Sequence, residues 1–461
     1  MNKQEAIQTV LNSRSLAIVG ASNSTEKFGG MTMETIINGG YTGQLFPVNP
    51  KSHEIMGIKA YNRLMDIPGT VDTVVIIVPA RFVADVLRQA VKKGIKGAII
   101  MTAGFKEFGR MDLEEELLEI SRTHGIRIMG PNIQGVTYLP NKMNAMFSPV
   151  FKQHGPLAVI TQSGSVTTAL AEWAERDGVG ITAAINLGNQ TDICEADYID
   201  YFADDPQTGT IVCYLEGIKN GPKFLSVLKR AVAKKPVVIL KTGRTEDGVK
   251  SAASHTGSLA GNHAVFKGIC NQYGATCVKK LTQLYDAAKG LALIKPPQGN
   301  RVVILSTSGG SATLASDEAE SNGLNLPSLA LETKKELGTI GLGAMAHITN
   351  PLDMPANSSH LYLKAAQIID KYDLADIILF NFADPVMDAD ENFVNAIRML
   401  TASVSVCCCG GGKLELSSTL VMGKAGTAVF PAPERAMSGI GAAVRRSMFL
   451  KRRNMDQGGV V

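Results

Sequence analysis

The chain has no run approaching the roughly eighteen apolar residues of a membrane span, and Met1 to Val10 carry polar side chains where a secretory signal has its apolar core. A cytoplasmic protein with no membrane partner is expected. Excess charge of one sign is also missing: 46 Lys and Arg against 42 Asp and Glu leave +4 over 461 residues, too little for a nucleic-acid footprint. The one dense basic run, Arg445, Arg446, Lys451, Arg452 and Arg453, reads as the solvated face of a terminal helix. The 7 cysteines are odd in number and show no CxxC spacing, so buried reduced thiols are expected. Cys407, Cys408 and Cys409 would alternate across a strand and cannot converge on one metal.

Two common phosphate-binding signatures are absent as well. Gly412-Lys413 is followed by Leu414 and Gly423-Lys424 by Ala425, so there is no P-loop. The first strand-to-helix turn, LAIVGASNSTEKFGG, lacks the GxGxxG spacing, and no acidic residue follows the second strand, which disfavours a nicotinamide dinucleotide. A GxGxxA at Gly341, Gly343 and Ala346 follows the helix-like KKELGTI instead of a strand and is discounted.

What is present is core-forming material: 45% of residues are apolar and 19% charged. At about 150 residues per domain the length predicts roughly three domains. Short β-branched runs alternate with turns and helical spacing, the pattern of α/β folds with parallel sheets. The first set of strands is predicted at Leu16 to Val19, Gln44 to Val48, Thr73 to Val78, Gly97 to Met101 and Ile126 to Met129, with a helix over Phe82 to Lys93. The second comprises Leu157 to Thr161, Ile181 to Leu187, Thr210 to Glu216 and Pro236 to Lys241, with helices over Val166 to Asp177 and Gly221 to Lys234. IKPPQGN from Ile294 breaks both periods and marks a linker, after which a third set includes Arg301 to Ser306, Ile377 to Phe380 and Ser403 to Cys408. GPLAVITQSGSVTTAL from Gly155 and GNRVVILSTSGGSATL from Gly299 open alike, which suggests two copies of one architecture or convergence on one turn.

Ligands of open α/β sheets bind at the carboxyl ends of the strands. There the sequence places Gly20, Ala21 and Ser22, then Asn49, Pro50 and Lys51, then Val78, Pro79 and Ala80, then Ala103 and Gly104, and finally Asn132. Singly, such residues simply make tight turns; together they favour a nucleotide-like ligand, and Lys51 suits a phosphate. His53, His124 and His154 are expected in polar turns. His255 lies in KTGRTEDGVKSAASHTGSLAGNHA, a glycine-, serine- and alanine-rich stretch without apolar periodicity, and is either incidental or a reactive imidazole. If it is a nucleophile, Glu216 at a strand end is placed to orient its ring, and Gln162, Ser163, Gly164 and Ser165, just before a helix, to hold a phosphoryl group. His263, eight residues on, finds no third ligand at metal spacing, so no metal site is expected.

VGASN, VNPK, GPN, TQSGS, LEGIKN, KTGR, SHTGSLAG, NPLD and FPAPERA, in this order over nearly the whole chain, resemble the NDP-forming acyl-CoA synthetases. The resemblance is nearest to the α subunits of their ADP-forming acetate–CoA ligases. It implies a Rossmann-like CoA-binding domain, about residues 1–140, followed by two flavodoxin-like, succinyl-CoA synthetase-like ligase domains, about 141–295 and 300–453. It further implies His255 as the phosphoryl acceptor, CoA and a small carboxylic acid as substrates, and ADP or ATP with Mg2+ on a separate ATP-grasp β subunit in an α2β2 heterotetramer. No ATP-grasp module is expected after Val461. A noncatalytic CoA-binding or CoA-sensing protein on the same fold is the alternative.

Overall fold

The computed structural model describes residues 1–250, 261–342, 347–354, 358–382, 390–410 and 412–458. His255 and Gly257 therefore lie outside the described residues, as do Gly343 and Ala346.

Three largely parallel sheets realise the α/β rhythm. The first comprises β1 (Ser15–Val19), β2 (Gln44–Val48), β3 (Thr73–Ile76), β4 (Gly97–Ile100) and β5 (Arg127–Met129), all parallel, in the order β2-β1-β3-β4-β5. Both faces are covered: Leu16 and Ile18 enter one apolar core, Ala17 and Val19 the other. Burial on both faces is why these strands read as continuous apolar runs.

The second sheet comprises β6 (Gly135–Tyr138), β7 (Met143–Met146), β8 (His154–Thr161), β9 (Ile181–Asn186), β10 (Thr210–Leu215), β11 (Val237–Lys241) and β12 (Thr276–Val278), in the order β12-β11-β10-β8-β9-β6-β7. Its hairpin β6–β7 was not expected. It pairs antiparallel with β9, Ala183 opposite Tyr138 and Ile185 opposite Val136. A boundary at residue 140 falls between these two strands, so the second sheet begins at Gly135. The third sheet has β13 (Val302–Ser306), β14 (Leu352–Asp353), β15 (Ile377–Phe382), β16 (Ser403–Cys408) and β17 (Val429–Phe430), all parallel, in the order β14-β13-β15-β16-β17.

Numbered from the first strand of each set, with β8 as the first of the second, all three sheets share the order 2-1-3-4-5. This is the flavodoxin-like doubly wound order, and its switch point lies between the first and third strands. The self-similarity of the second and third sets thus extends to topology.

The chain forms two compact units, residues 1–175 with 180–277 and residues 176–179 with 278–461. In the first, one core runs from Leu16 and Ile18 through Ile160 and Ile185, so the first two sheets share their packing. In the second, the helix Leu281–Leu293 lies against the helix Pro433–Gly458. Arg435 makes two hydrogen bonds of 2.8 Å to Asp286, and a Cβ at Gly290 would stand 2.4 Å from the Gly439 carbonyl oxygen. That helix, expected with residues 141–295, packs with the third sheet.

Smaller expectations divide. Cys407 and Cys408 enter opposite cores, as strand alternation requires, and none of the 7 cysteines forms a disulfide. The basic run lies on the last helix, with Arg445, Lys451 and Arg452 exposed but Arg446 and Arg453 half-buried. His53 lies in a bend, whereas His124 closes the helix Met111–His124 and His154 opens β8. Among the described residues no helix is long and apolar enough to cross a membrane.

Gly20 is the tightest requirement of the first sheet. Its φ is +97°, and a Cβ there would lie 2.1 Å from the carbonyl oxygen of Ile77, just past the neighbouring strand. Gly20→Ala should cost at least about 3 kcal/mol in urea unfolding, from positive-φ strain plus overpacking. Gly94→Ala, at φ +80° but with nothing within 4 Å of the added carbon, should cost only about 1 kcal/mol. Equal losses at the two sites would show that the close approach at Gly20 carries no weight.

Candidate active site

The turns after β1 to β5 meet at one edge of the first sheet, held by side chains instead of chance. Asn49 donates from Nδ2 to the Ala21 carbonyl at 2.8 Å and accepts from the Lys51 amide at 2.9 Å, which ties the VNPK turn to the VGAS turn. Ser22 accepts from the Ser24 amide, and Lys51, Pro50 and Pro79 are exposed. Thr102 donates to the Val78 carbonyl at 2.8 Å, and the Asn132 amide donates to the Thr102 carbonyl at 2.9 Å. Gly104 has φ +109°, and a Cβ there would touch Ala80 at 3.3 Å. Its amide donates to Glu107 Oε1 at 2.7 Å. Burial raises the Glu107 carboxyl, but hydrogen bonds from Asn189 and from the Gly104 and Phe105 amides outweigh it, and the group sits below its ordinary range. Gly29 and Gly30, not singled out from the sequence, let the helix Phe28–Asn38 back onto this turn: Cβ atoms there would lie 2.0 Å from the Gly20 oxygen and 1.9 Å from the Ser24 oxygen.

The second part of the site stands at the switch point of the second sheet. β8 ends at Thr161, and the helix Gly164–Arg176 begins two residues before its expected start. Gln162 is buried and stitches two turns together. Its Oε1 accepts from the amides of Glu216 and Gly217, and its Nε2 donates to the Gly217 carbonyl at 2.9 Å. Ser163 and Ser165 hydroxyls stand 3.2 Å apart. The first-turn amides of a helix lack intrahelical acceptors and carry the positive end of its dipole, so Ser163 to Ser165 form a ready anion cradle. Glu216 is buried and directly follows β10; the buried Lys241 ammonium donates to the Glu216 and Thr242 carbonyls, both at 2.7 Å. Burial lowers the Lys241 pKa, against the pull of Glu216.

One cavity of about 670 Å³ joins the two parts. Val78, Thr102, Ala103 and Asn132 line it from the first sheet, and Gln162, Ser163, Gly164, Ser165 and Asn186 from the second. Gly20, Ala21, Ser22, Asn49, Pro50, Lys51, Pro79, Ala80, Gly104 and Glu216 are not among its lining residues. The lining also includes Phe28, Met101, Ile133, Gln134 and Phe147, which sequence reasoning missed. Asn186 is the one with a sequence signal: a polar residue closing an apolar strand beside the QSG turn. Its Oδ1 accepts from the Gln134 amide at 2.7 Å.

The family model described as a CoA binding domain matches residues 14–138, and that of a succinyl-CoA ligase like flavodoxin domain matches residues 154–291. The acetate–CoA ligase (ADP-forming) I subunit alpha of Pyrococcus furiosus is 35% identical over 456 residues, 96% of this chain and 98% of that one. The chain belongs to the ADP-forming acetate–CoA ligase α-subunit family. Its fold agrees with that of the Ca. Korarchaeum cryptofilum dinucleotide forming acetyl-coenzyme A synthetase 1, solved with phosphate and ADP, at a TM-score of 0.89 and 32% identity over 97% of this chain and 98% of that one. The acetate–CoA ligase (ADP-forming) I of Archaeoglobus fulgidus is 34% identical over 94% of this chain, which spans only 62% of that longer protein. The acyl-CoA ligase class, the CoA-binding domain and the flavodoxin-like ligase fold expected from the sequence are those of the ADP-forming acetate–CoA ligase family.

Beneath the Glu216 turn lies Glu195, fully buried, whose Oε1 accepts from the Lys219 amide at 3.3 Å. Burial above all, with help from Asp197, pushes its carboxyl up to about 6 against the amide's opposing effect. A pKa raised in the folded state gives stability that is complete below about 4.5 and withdrawn as pH rises through about 6. Glu195→Gln cannot ionise, so its stability relative to wild type should rise by about 1–2 kcal/mol from about pH 5 to about pH 8. Thermal melts across that range check this; a pH-independent difference would mean the buried carboxyl is already ionised throughout.

Proposed function

We propose that the chain is the α subunit of an ADP-forming acyl-CoA synthetase that makes and breaks an acyl phosphate in the cavity between its first two sheets. One observation carries the proposal: the carboxyl-edge turns of the CoA-binding domain and the helix N-terminus at Ser163 open into the same cavity. The turns fit a CoA ligand. Gly20 leaves no side chain at the switch point, and Lys51 offers a cation to a phosphate at the exposed rim.

In this scheme phosphate rests on the amides of Ser163 to Ser165, with Gln162 fixing the turn. A phosphate oxygen attacks the thioester carbonyl, the C–S bond breaks, CoA leaves as thiolate and takes a proton from water, and an acyl phosphate remains. A ring nitrogen of His255 then attacks phosphorus, the bond to the acyl oxygen breaks, and the carboxylate leaves. Glu216 accepts a hydrogen bond from the other ring nitrogen and stabilises the imidazolium character that develops. The phosphohistidine finally passes its phosphoryl group to ADP. The chemistry asks chiefly for positioning and oriented dipoles, which a helix N-terminus between rigid strands supplies.

ADP, ATP and Mg2+ are assigned mainly to an ATP-grasp β subunit in an α2β2 assembly. The subunit naming of the Pyrococcus relative and the greater length of the Archaeoglobus protein support a partner. We read residues 1–134 as the CoA-binding domain, 135–277 as the domain carrying the phosphohistidine and 278–453 as the second ligase domain, which takes in the helix Leu281–Leu293. A cytoplasmic setting suits 7 cysteines that form no disulfide.

Incubation of the chain and its co-purified partner with Mg-ATP, followed by mass spectrometry under alkaline conditions, should place one phosphoryl group on His255. His255→Ala should lose that group and turnover while still binding CoA. Turnover at the wild-type rate in the variant would end the phosphohistidine scheme, and no label in the wild type would favour a noncatalytic CoA-binding protein. Lys51→Ala should weaken CoA binding by calorimetry more at low salt than at high salt, because an exposed phosphate contact is screened. Equal weakening at both salts would point to packing instead of charge.

A further inference from the structure

The cavity has two chemically distinct kinds of lining. Gln134, Gln162 to Ser165, Asn186, Thr102 and Asn132 supply polar lining, while Phe28, Met101, Ile133 and Phe147 supply apolar lining. Ile77 and Val78 also line the cavity, but they stand at the switch point beside Gly20, where the thiol arm of CoA would enter. The remaining apolar residues have no such assignment.

Phe28 and Phe147 stack with ring centroids 4.4 Å apart and planes inclined by 32°. Phe28 is 57% exposed although it opens a helix whose next residues are buried, so the pair presents apolar surface at the cavity with no covering of its own. Its distance from the anion cradle is fixed through one residue. The Phe147 amide donates to the Gln134 carbonyl at 3.1 Å, and the Gln134 side chain accepts from the Thr168 hydroxyl at 3.1 Å and lies against Gly164, where a Cβ would meet its Cδ at 2.7 Å. The helix carrying Phe28 is held at the same wall, since Thr32 donates to the Phe28 carbonyl at 2.8 Å and stands 3.5 Å from the Met101 sulfur.

We infer that Phe28 and Phe147 form the wall against which the side chain of the carboxylic acid packs, and that the acid this chain prefers has an apolar group larger than methyl, branched-chain or aromatic. The inference rests on the function proposed above. An acyl phosphate anchored at Ser163 to Ser165 directs its carbon chain past Gln134. A single methyl leaves the stacked rings uncovered, whereas a branched or aryl group covers them, and each added methylene in such a pocket discriminates by about tenfold or more.

The test measures kcat/KM of the chain with its co-purified partner for acetate, isobutyrate and phenylacetate, in the wild type, Phe28→Ala, Phe147→Ala and Phe147→Leu. Wild type should favour at least one larger acid over acetate by about tenfold. Phe28→Ala and Phe147→Ala should each lower kcat/KM for that acid about tenfold, mainly through KM, and lower it less for acetate. Phe147→Leu should fall between. Phe28 is exposed, so its variant reports even if Phe147→Ala fails to fold. Acetate preferred by wild type, or all acids reduced alike by Phe28→Ala, overturns the inference. Phosphorylation of His255 from Mg-ATP, which needs no acid, is followed in parallel: its absence in wild type overturns the underlying function, whereas its presence with unaltered selectivity overturns only the wall.

Discussion

In each of the three sheets the first and third strands lie side by side, and their chains leave the carboxyl edge toward opposite faces. That divergence opens a crevice no side chain needs to carve. The first strand must then turn into a helix within a few residues, and the turn must be small. Gly20, Gly164 and Gly309 meet this requirement against three different neighbours: the Ile77 carbonyl, the Gln134 side chain and the Asp353 carboxylate. The second and third sheets solve the turn with the same bond. Thr161 donates its hydroxyl to the Ser163 carbonyl, and Ser306 donates its own to the Ser308 carbonyl at 2.8 Å. A shared strand order and a shared turn bond support duplication over convergence on a turn alone.

A crevice becomes a site only if its edges hold still, and here buried and half-buried polar side chains supply the stiffness. Gln162 satisfies two amides and one carbonyl, Asn49 bridges two turns, Asn186 accepts from the Gln134 amide, and Lys241 satisfies two carbonyls. Each bond answers a backbone group that a turn would otherwise leave unpaired, and an unpaired buried group costs about 1–3 kcal/mol. The polar residues of the turns thus fix backbone geometry before any ligand is considered.

What the sequence discloses follows from this division. The parallel strands were legible because burial on both faces writes them as β-branched runs, and the polar turns because glycine, asparagine and proline have few other uses there. The hairpin β6–β7 was not, since nothing in Gly135–Tyr138 or Met143–Met146 says which sheet it will join. The helix Leu281–Leu293 was assigned across a proline-rich segment that looked like a boundary, while its packing partner, Arg435, stands far along the chain. His255 was found by composition and motif and lies outside the described residues. Phe28 and Phe147 carry no local signal at all: a phenylalanine that begins a helix and one that follows a strand look like core residues until the fold stacks them.

The polar and apolar lining residues therefore differ in how freely they can change. The Gln162 side chain is bound to two amides and a carbonyl, so replacing it strands buried backbone groups and moves the turn itself. The rings of Phe28 and Phe147 are held by contact, and Phe28 is half open to solvent. Truncating an exposed ring removes surface without orphaning a hydrogen bond. A cavity built this way has a polar lining fixed by its own hydrogen bonds and an aromatic pair whose replacement the fold can tolerate.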